Sequence, residues 1–277
     1  MNTPYALLVT GGGTGIGAAT CLRAAELGYA VCVNYRQSRI GADETVREIN
    51  SLGAEAFSVQ ADVSVESEVV DLFAAIDKRF GPVTHLVNNA GVLESQIRVQ
   101  DVTAHRLARI FATNVTGSFL CCREAIKRMS TRHGGQGGSI VNVSSAASRL
   151  GSAGEYVDYA ASKGAIDTLT IGLANEVAGE GIRVNAMRPA FIHTGIHARG
   201  GEPGRIERLR RQIPLGRGGL PRKLPMQFSG FSLPRPHTPP ADSSTSQVAN
   251  SRRDLAVTYQ PHISHISATT FTRLRFG

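Results

Sequence analysis

The sequence predicts an α/β fold built on a doubly wound parallel sheet, and three observations carry that reading. Short apolar runs recur from residue 5 to Met187. Segments of helical apolar period separate them, most a dozen or more residues long. The first run, YALLVT at 5–10, stops at once in a glycine cluster, Gly11-Gly-Gly-Thr-Gly-Ile-Gly17. Strands alternating with helices of that length imply right-handed βαβ units and a sheet covered on both faces.

Taken in order, the strand at 5–10 and its glycines lead into an amphipathic segment, Ala18 to Leu27. A second strand, Ala30-Val-Cys-Val33, ends in a polar turn before a helix from about Ala42 to Leu52. Further strands are expected at Ala56–Gln60, His85–Asn88, Ser139–Val143 and Arg183–Met187. Helical patterns at about 66–79, 103–129 and 159–178 lie between them, giving six strands by Met187. No internal repeat is evident.

A chain of 277 residues suits one α/β domain or a domain with an appendage. No apolar run reaches eighteen residues, so no transmembrane helix is expected, and Met1 to Ala6 lacks the pattern of a signal peptide. Cys21, Cys32, Cys121 and Cys122 have no metal-ligand spacing and read as core residues of a cytoplasmic protein in a reducing compartment. The net charge is +8, but from Leu220 onward there are seven Lys/Arg against two Asp/Glu, leaving only +3 for residues 1–219. That last stretch also holds seven of the twelve prolines. Residues 1–219 therefore read as the folded domain, and 220–277 as a Pro/Ser/Arg-rich tail that is disordered or poorly packed. The tail has charge but no aromatic platform or recognised module, so nucleic acid is not an expected partner.

Two places carry chemistry. In the first βα turn, glycines permit a tight bend and let backbone N–H groups approach a pyrophosphate, which a helix N-terminus then stabilises. The spacing is G-x-x-x-G-x-G. Further on, Tyr159 and Lys163 stand four apart on a predicted helix, hence on one face. A cation there favours the phenolate, making a tyrosine a usable acid or base. Tyr156 has Ala160 four residues on, so it lacks a lysine on its face.

The motifs TGGGTGIG (10–17), NNAG (88–91), Asn114, VNVSS (141–145) and YAASK (159–163) together resemble the short-chain dehydrogenase/reductase family, continuously from residue 5 to about 219. The YVDYAASKGA and HARGGEPGR (197–205) segments are similar to bacterial sugar dehydrogenase-like and 3-oxoacyl reductase-like members of unassigned substrate. The resemblance implies a Rossmann-like sheet and hydride transfer between a nicotinamide and a carbonyl or secondary alcohol. It makes Tyr159 the acid/base, Lys163 the residue that lowers its pKa and holds the nicotinamide ribose, and Asn114 the support of a water relay. Ser145 would hydrogen-bond the substrate oxygen, with Ser144 as the alternative, because Ser145 to Tyr159 is one residue longer than usual. That extra residue is expected to loop out in Gly151–Glu155. Cofactor contacts are implied at Thr10, Gly11, Gly15, Ile16 and Gly17, at Asp62 and Val63 beside the adenine, and at Asn88 and Ala90. Pro189, Ile192 and Thr194 follow the sixth strand toward the carboxamide. Ala190 replaces a family glycine there; if its φ is positive, the Cβ costs about 1 kcal/mol. Arg36 stands after the second strand, where a cation favours a 2′-phosphate, so NADP(H) is preferred over NAD(H). No metal is implied. A homotetramer is the family's expected assembly.

After Gly219 the family supplies a helix and a seventh strand, which this chain replaces. Written as AGG AAG TTG CCA ATG CAA TTC, Arg222 to Phe228 read one base back, with the G of the preceding proline codon, becomes E-E-V-A-N-A-I. Continued to Ser251 with permitted codons, the shifted frame gives EEVANAILWLLSPEASYTTGGFIDVASGK and a stop. The hypothesis is a one-base frameshift near Gly219–Leu220; a gene in which no single-base correction restores that ending would refute it. It leaves an alternative function, a catalytically impaired protein that at most binds nucleotide.

Overall fold

The computed structural model describes residues 5–224; the expectations for residues 225–277, including most of the altered tail and the replaced seventh strand, lie outside these residues. Six parallel strands form one sheet: β1 (Ala6–Val9), β2 (Ala30–Tyr35), β3 (Ala56–Gln60), β4 (His85–Asn88), β5 (Gly138–Val143) and β6 (Ile182–Met187). Their spatial order is β3-β2-β1-β4-β5-β6, the doubly wound arrangement the alternation of elements predicted. Winding reverses between β1 and β4, where Leu7 lies opposite His85 and Val9 opposite Val87. A crevice opens beyond the carboxyl ends of strands at such a reversal, which fixes where a ligand can sit.

The central strands β1, β2, β4 and β5 are buried on both faces, whereas β3 at the sheet edge is only partly buried, so the central side chains divide by alternation. Leu8, Leu86 and Ile140 point to one side, against Leu72, Phe73 and Ile76 of α3 (Glu66–Phe80) and Cys121, Cys122 and Met129 of α5 (Gly117–Met129). Leu7, Val9, Val33 and Val141 point to the other, against Cys21 and Ala25 of α1 (Gly15–Glu26) and Ile49 of α2 (Arg39–Ser51). Each buried Leu, Ile, Val, Phe or Met among them contributes about 1.5–3 kcal/mol. All four cysteines are buried and free. Past Gly219, a 3-10 turn at Pro221–Lys223 delivers Leu224 into the α1-side cluster. No helix among the described residues is long and apolar enough to cross a membrane.

Several boundaries differ from the sequence pattern. The helix expected over 103–129 is broken into α4 (Ala104–Phe111), a π-helical turn (Ala112–Thr116) and α5. The turn's Asn114 spends its side chain on a neighbouring loop, an interaction that apolar periodicity does not record. α1 begins at Gly15, three residues before the amphipathic pattern starts, because glycines carry no periodic signal. Beyond β6 the chain adds two short helical turns, α8 (Ile196–Arg199) and α9 (Arg205–Leu209).

Candidate active site

The glycine loop after β1 forms one end of a cleft of about 720 Å³. Gly11 and Gly15 have φ of +62° and +56°, the left-handed region that side chains resist. A Cβ on Gly17 would stand 2.3 Å from the Gly11 carbonyl oxygen, so the helix start and the loop touch backbone to backbone. Thr14 precedes α1 without capping it through its side chain, leaving the first N–H groups of the helix for another acceptor. Such a concave, donor-rich loop at a helix N-terminus fits a pyrophosphate.

Thr10 and Asn88 do not line the cleft. The Thr10 hydroxyl accepts from the N–H groups of Asn89 and Ala90, each at 3.0 Å. Asn88 donates to Asn142 Oδ1 at 2.9 Å, which ties β4 to β5. The sequence reading missed Asn89, whose Nδ2 donates to the carbonyls of Thr10 (2.9 Å) and Gly11 (3.1 Å) and so sets the loop's shape. It also missed Asn34, whose Oδ1 accepts from the Gly11 N–H at 3.3 Å. A second asparagine in the NNAG run was the available signal for the first; nothing marked the second.

Gly11, Gly15, Ile16, Arg36, Asp62, Val63 and Ala90 line this half of the cleft, and Gly17 backs it. Arg36 Nη1 lies 3.3 Å from Asp62 Oδ2 in a half-exposed pair. Partial burial pushes the Asp62 carboxyl up, but bonds from the Ser64 hydroxyl and N–H, with Arg36, outweigh it and hold the group below its ordinary range.

The other half of the cleft is built by β5 and α7 (Val157–Val177). Lys163 is 4% exposed, and its ammonium donates to the Val143 carbonyl at 2.7 Å. It lies 5.7 Å from the centre of the Tyr159 ring, so the pair meets as the four-residue spacing predicted. Its expected electrostatic effect is not what dominates. Burial pushes the Tyr159 phenol up to about 12, with the Ser145 hydroxyl pulling it down in part. Burial likewise lowers Lys163 to about 8, opposed by Asp167. Desolvation is the largest cause for both groups, since each is buried and the ammonium is bonded to a carbonyl.

Ser144 and Ser145 divide their work. Both border the cleft, but the Ser144 hydroxyl is buried and donates to the Lys163 carbonyl at 3.1 Å, while the Ser145 hydroxyl bonds Tyr159. Between Ser145 and Tyr159 lie α6 (Ala147–Leu150) and a turn in which Gly151, Ser152 and Gly154 all have positive φ. Asn114, 1% exposed, does not line the cleft. Its amide accepts from the Val92 N–H (2.7 Å) and donates to Ser162 Oγ (3.0 Å). A Cβ on Gly91 would lie 3.5 Å from both Asn114 Oδ1 and Lys163 Nζ, so the two groups flank one gap.

Pro189, Ile192 and Thr194 close the cleft from the segment after β6. The Pro189 carbonyl accepts from Ala146 N–H at 2.9 Å, and the Thr194 methyl packs over Gly15. Ala190 has no positive φ, so the strain considered for its Cβ is absent. Tyr156 is 2% exposed and donates to the Gly200 carbonyl at 3.0 Å, a structural task.

Residues 5–203 match the short chain dehydrogenase family model. The chain is 60% identical over 212 residues to an uncharacterized oxidoreductase, YgfF, of Escherichia coli, covering 76% of this chain and 86% of the relative. It is 35% identical over 223 residues to an NADPH-dependent aldehyde reductase-like protein, chloroplastic, of Arabidopsis thaliana, covering 76% and 81%. Among solved structures, a 3-ketoacyl-(acyl-carrier-protein) reductase from Brucella melitensis complexed with NADH superposes with a TM-score of 0.75 at 30% identity, covering 83% of this chain and 91% of that one. With the fold, the glycine cradle and these matches together, the chain belongs to the short-chain dehydrogenase/reductase family of NAD(P)-dependent oxidoreductases.

Proposed function

We propose that this chain reduces a small-molecule carbonyl to an alcohol at the expense of NADPH, with Tyr159 as the proton donor. The observation that carries it is one cleft holding the glycine cradle at one end and Ser145, Tyr159 and Lys163 at the other. A bound nicotinamide supplies the hydride; the residues of this chain do the rest. The Tyr159 phenol, pushed up to about 12 by burial, is protonated at neutral pH. A phenol in that state suits donation to a forming alkoxide, which is a far stronger base. Ser145 donates a second hydrogen bond to the same oxygen, and Lys163 holds the ribose hydroxyls. Asn114, beside Lys163 across Gly91, supports proton resupply from the loop side.

Arg36 beside the adenosine end supports a preference for NADP(H), since a guanidinium can donate two parallel hydrogen bonds to a 2′-phosphate. Consumption of NADPH with a panel of aldehydes and ketones tests the reading. Tyr159→Phe should lower kcat by at least about 100-fold while leaving NADPH binding unchanged; retained turnover would remove Tyr159 from its role. An impaired enzyme is the second reading, favoured by the altered sequence after Gly219. It predicts NADPH binding without turnover, and recovery of turnover when the shifted reading frame is restored.

A further inference from the structure

Five cationic side chains line the cleft, and four have partners on the protein. Arg36 pairs with Asp62, and Lys163 bonds the Val143 carbonyl. Arg205 and Arg208 share Glu155 and Glu202 in a closed four-charge network, with Arg208 Nη2 2.6 Å from Glu155 and 2.9 Å from Glu202. Arg199 is the exception. Arg199 is exposed, and among the described residues its guanidinium has no carboxylate within 4.0 Å and no side-chain hydrogen bond.

The backbone under Arg199 is nonetheless held on both sides. Gly195, at the start of α8, lies against the guanidinium, with a Cβ there only 3.5 Å from Arg199 Nη1. Thr194, one residue earlier, packs over Gly15 of the glycine loop. On the other side the Gly200 carbonyl accepts the Tyr156 hydroxyl at 3.0 Å, three residues from Tyr159. Gly200 N–H donates to Ile196, and a Cβ on Gly200 would press to 2.8 Å of Leu93. The Glu155–Arg205–Glu202–Arg208 network then anchors the chain that follows. A guanidinium with its charge uncommitted thus sits on an anchored turn between the glycine cradle and the catalytic helix. Its neighbours Arg205 and Arg208 are neutralised within the protein, so they do not compete for the same anion.

We propose that Arg199 is an anion-binding residue of this cleft, engaging a phosphate or carboxylate group of a bound ligand. The proposal rests on the nucleotide-dependent reading above and assigns its cleft a preference for anionic ligands. Two sources supply such a group: the dinucleotide's diphosphate, or an acidic function on the carbonyl substrate.

Calorimetric titration of the full chain separates them, without requiring turnover. NADPH is titrated into the wild type, Arg199→Gln and Arg199→Lys; levulinate and its ethyl ester are then titrated into each protein saturated with NADP+. Arg211→Gln, which removes an exposed charge outside the cleft lining, controls for general loss of charge. Loss of a charge-assisted hydrogen bond corresponds to about tenfold in affinity or more. Arg199→Gln weakening NADPH by that factor, with Arg199→Lys partly retaining it and Arg211→Gln near wild type, supports the diphosphate source. Loss of the preference for levulinate over its ester, with NADPH binding unchanged, supports the substrate source. Changes below twofold in both, or equal changes in Arg211→Gln, overturn the proposal. Absence of NADPH consumption across the aldehyde and ketone panel, with these bindings intact, refutes turnover by this chain and leaves Arg199 judged by its own titrations.

Discussion

The buried lysine carries a stability cost, and that cost can be measured. Lys163 is 4% exposed and its pKa falls from 10.5 to about 8. At 1.36 kcal/mol per pKa unit this is about 3 kcal/mol against folding wherever the group is charged in both states. For a lysine whose folded pKa is depressed, the unfolded state binds more protons between the two values. Stability is therefore greatest above about 10.5 and is lost as pH falls through about 8. Lys163→Met removes the charge, keeps much of the volume, and sacrifices one ammonium bond to Val143. That bond is worth about 1.5–3 kcal/mol, so at pH 7 the variant should be about as stable as the wild type or slightly more so. Between pH 7 and 9.5 the wild type should gain about 2 kcal/mol relative to the variant. Urea unfolding of both proteins at the two pH values measures this, below the range where Tyr159, raised to about 12, contributes. A difference that does not change with pH would refute the reasoning, whatever happens to activity.

The two adjacent serines should separate: Ser144→Ala should lower stability by about 1 kcal/mol by removing a buried bond to the Lys163 carbonyl, whereas Ser145→Ala should lower kcat with little change in melting. Arg106 and Asp158 form a buried pair at 2.5 Å just before Tyr159. Arg106→Leu alone should cost about 3–5 kcal/mol, and adding Asp158→Leu should recover much of it in a thermal melt. Arg36→Asp should move preference from NADPH toward NADH in kcat/KM, by about tenfold or more for loss of a charged hydrogen bond. Unchanged cofactor preference would place the 2′-phosphate elsewhere.

Much of the sheet was legible because buried parallel strands repeat one signal, a short apolar run stopped by a polar or glycine turn. The pairing of Tyr159 with Lys163 was legible for a similar reason: the two share one helix, so their spacing is their geometry. What escaped notice lies where a side chain answers a distant partner. Asn114 breaks the helix at 112–116 by bonding Val92, and Asn89 shapes a loop 78 residues earlier. Neither bond leaves a period in the local sequence. The raised pKa of Tyr159 was also illegible, because spacing gives the distance to a cation but not the desolvation that outweighs it.

The bonds from Asn89 to the glycine loop have a kinetic meaning as well. Thr10 and Asn89 are 79 residues apart, so the cradle cannot take shape until β4 has docked beside β1. Closing so long a loop is slow relative to forming the local turn itself. Early folding species with β1, β2 and β3 alone would hold the glycines without their binding geometry. A dinucleotide should then bind only after the two halves of the sheet have joined. It should slow unfolding strongly and accelerate refolding little.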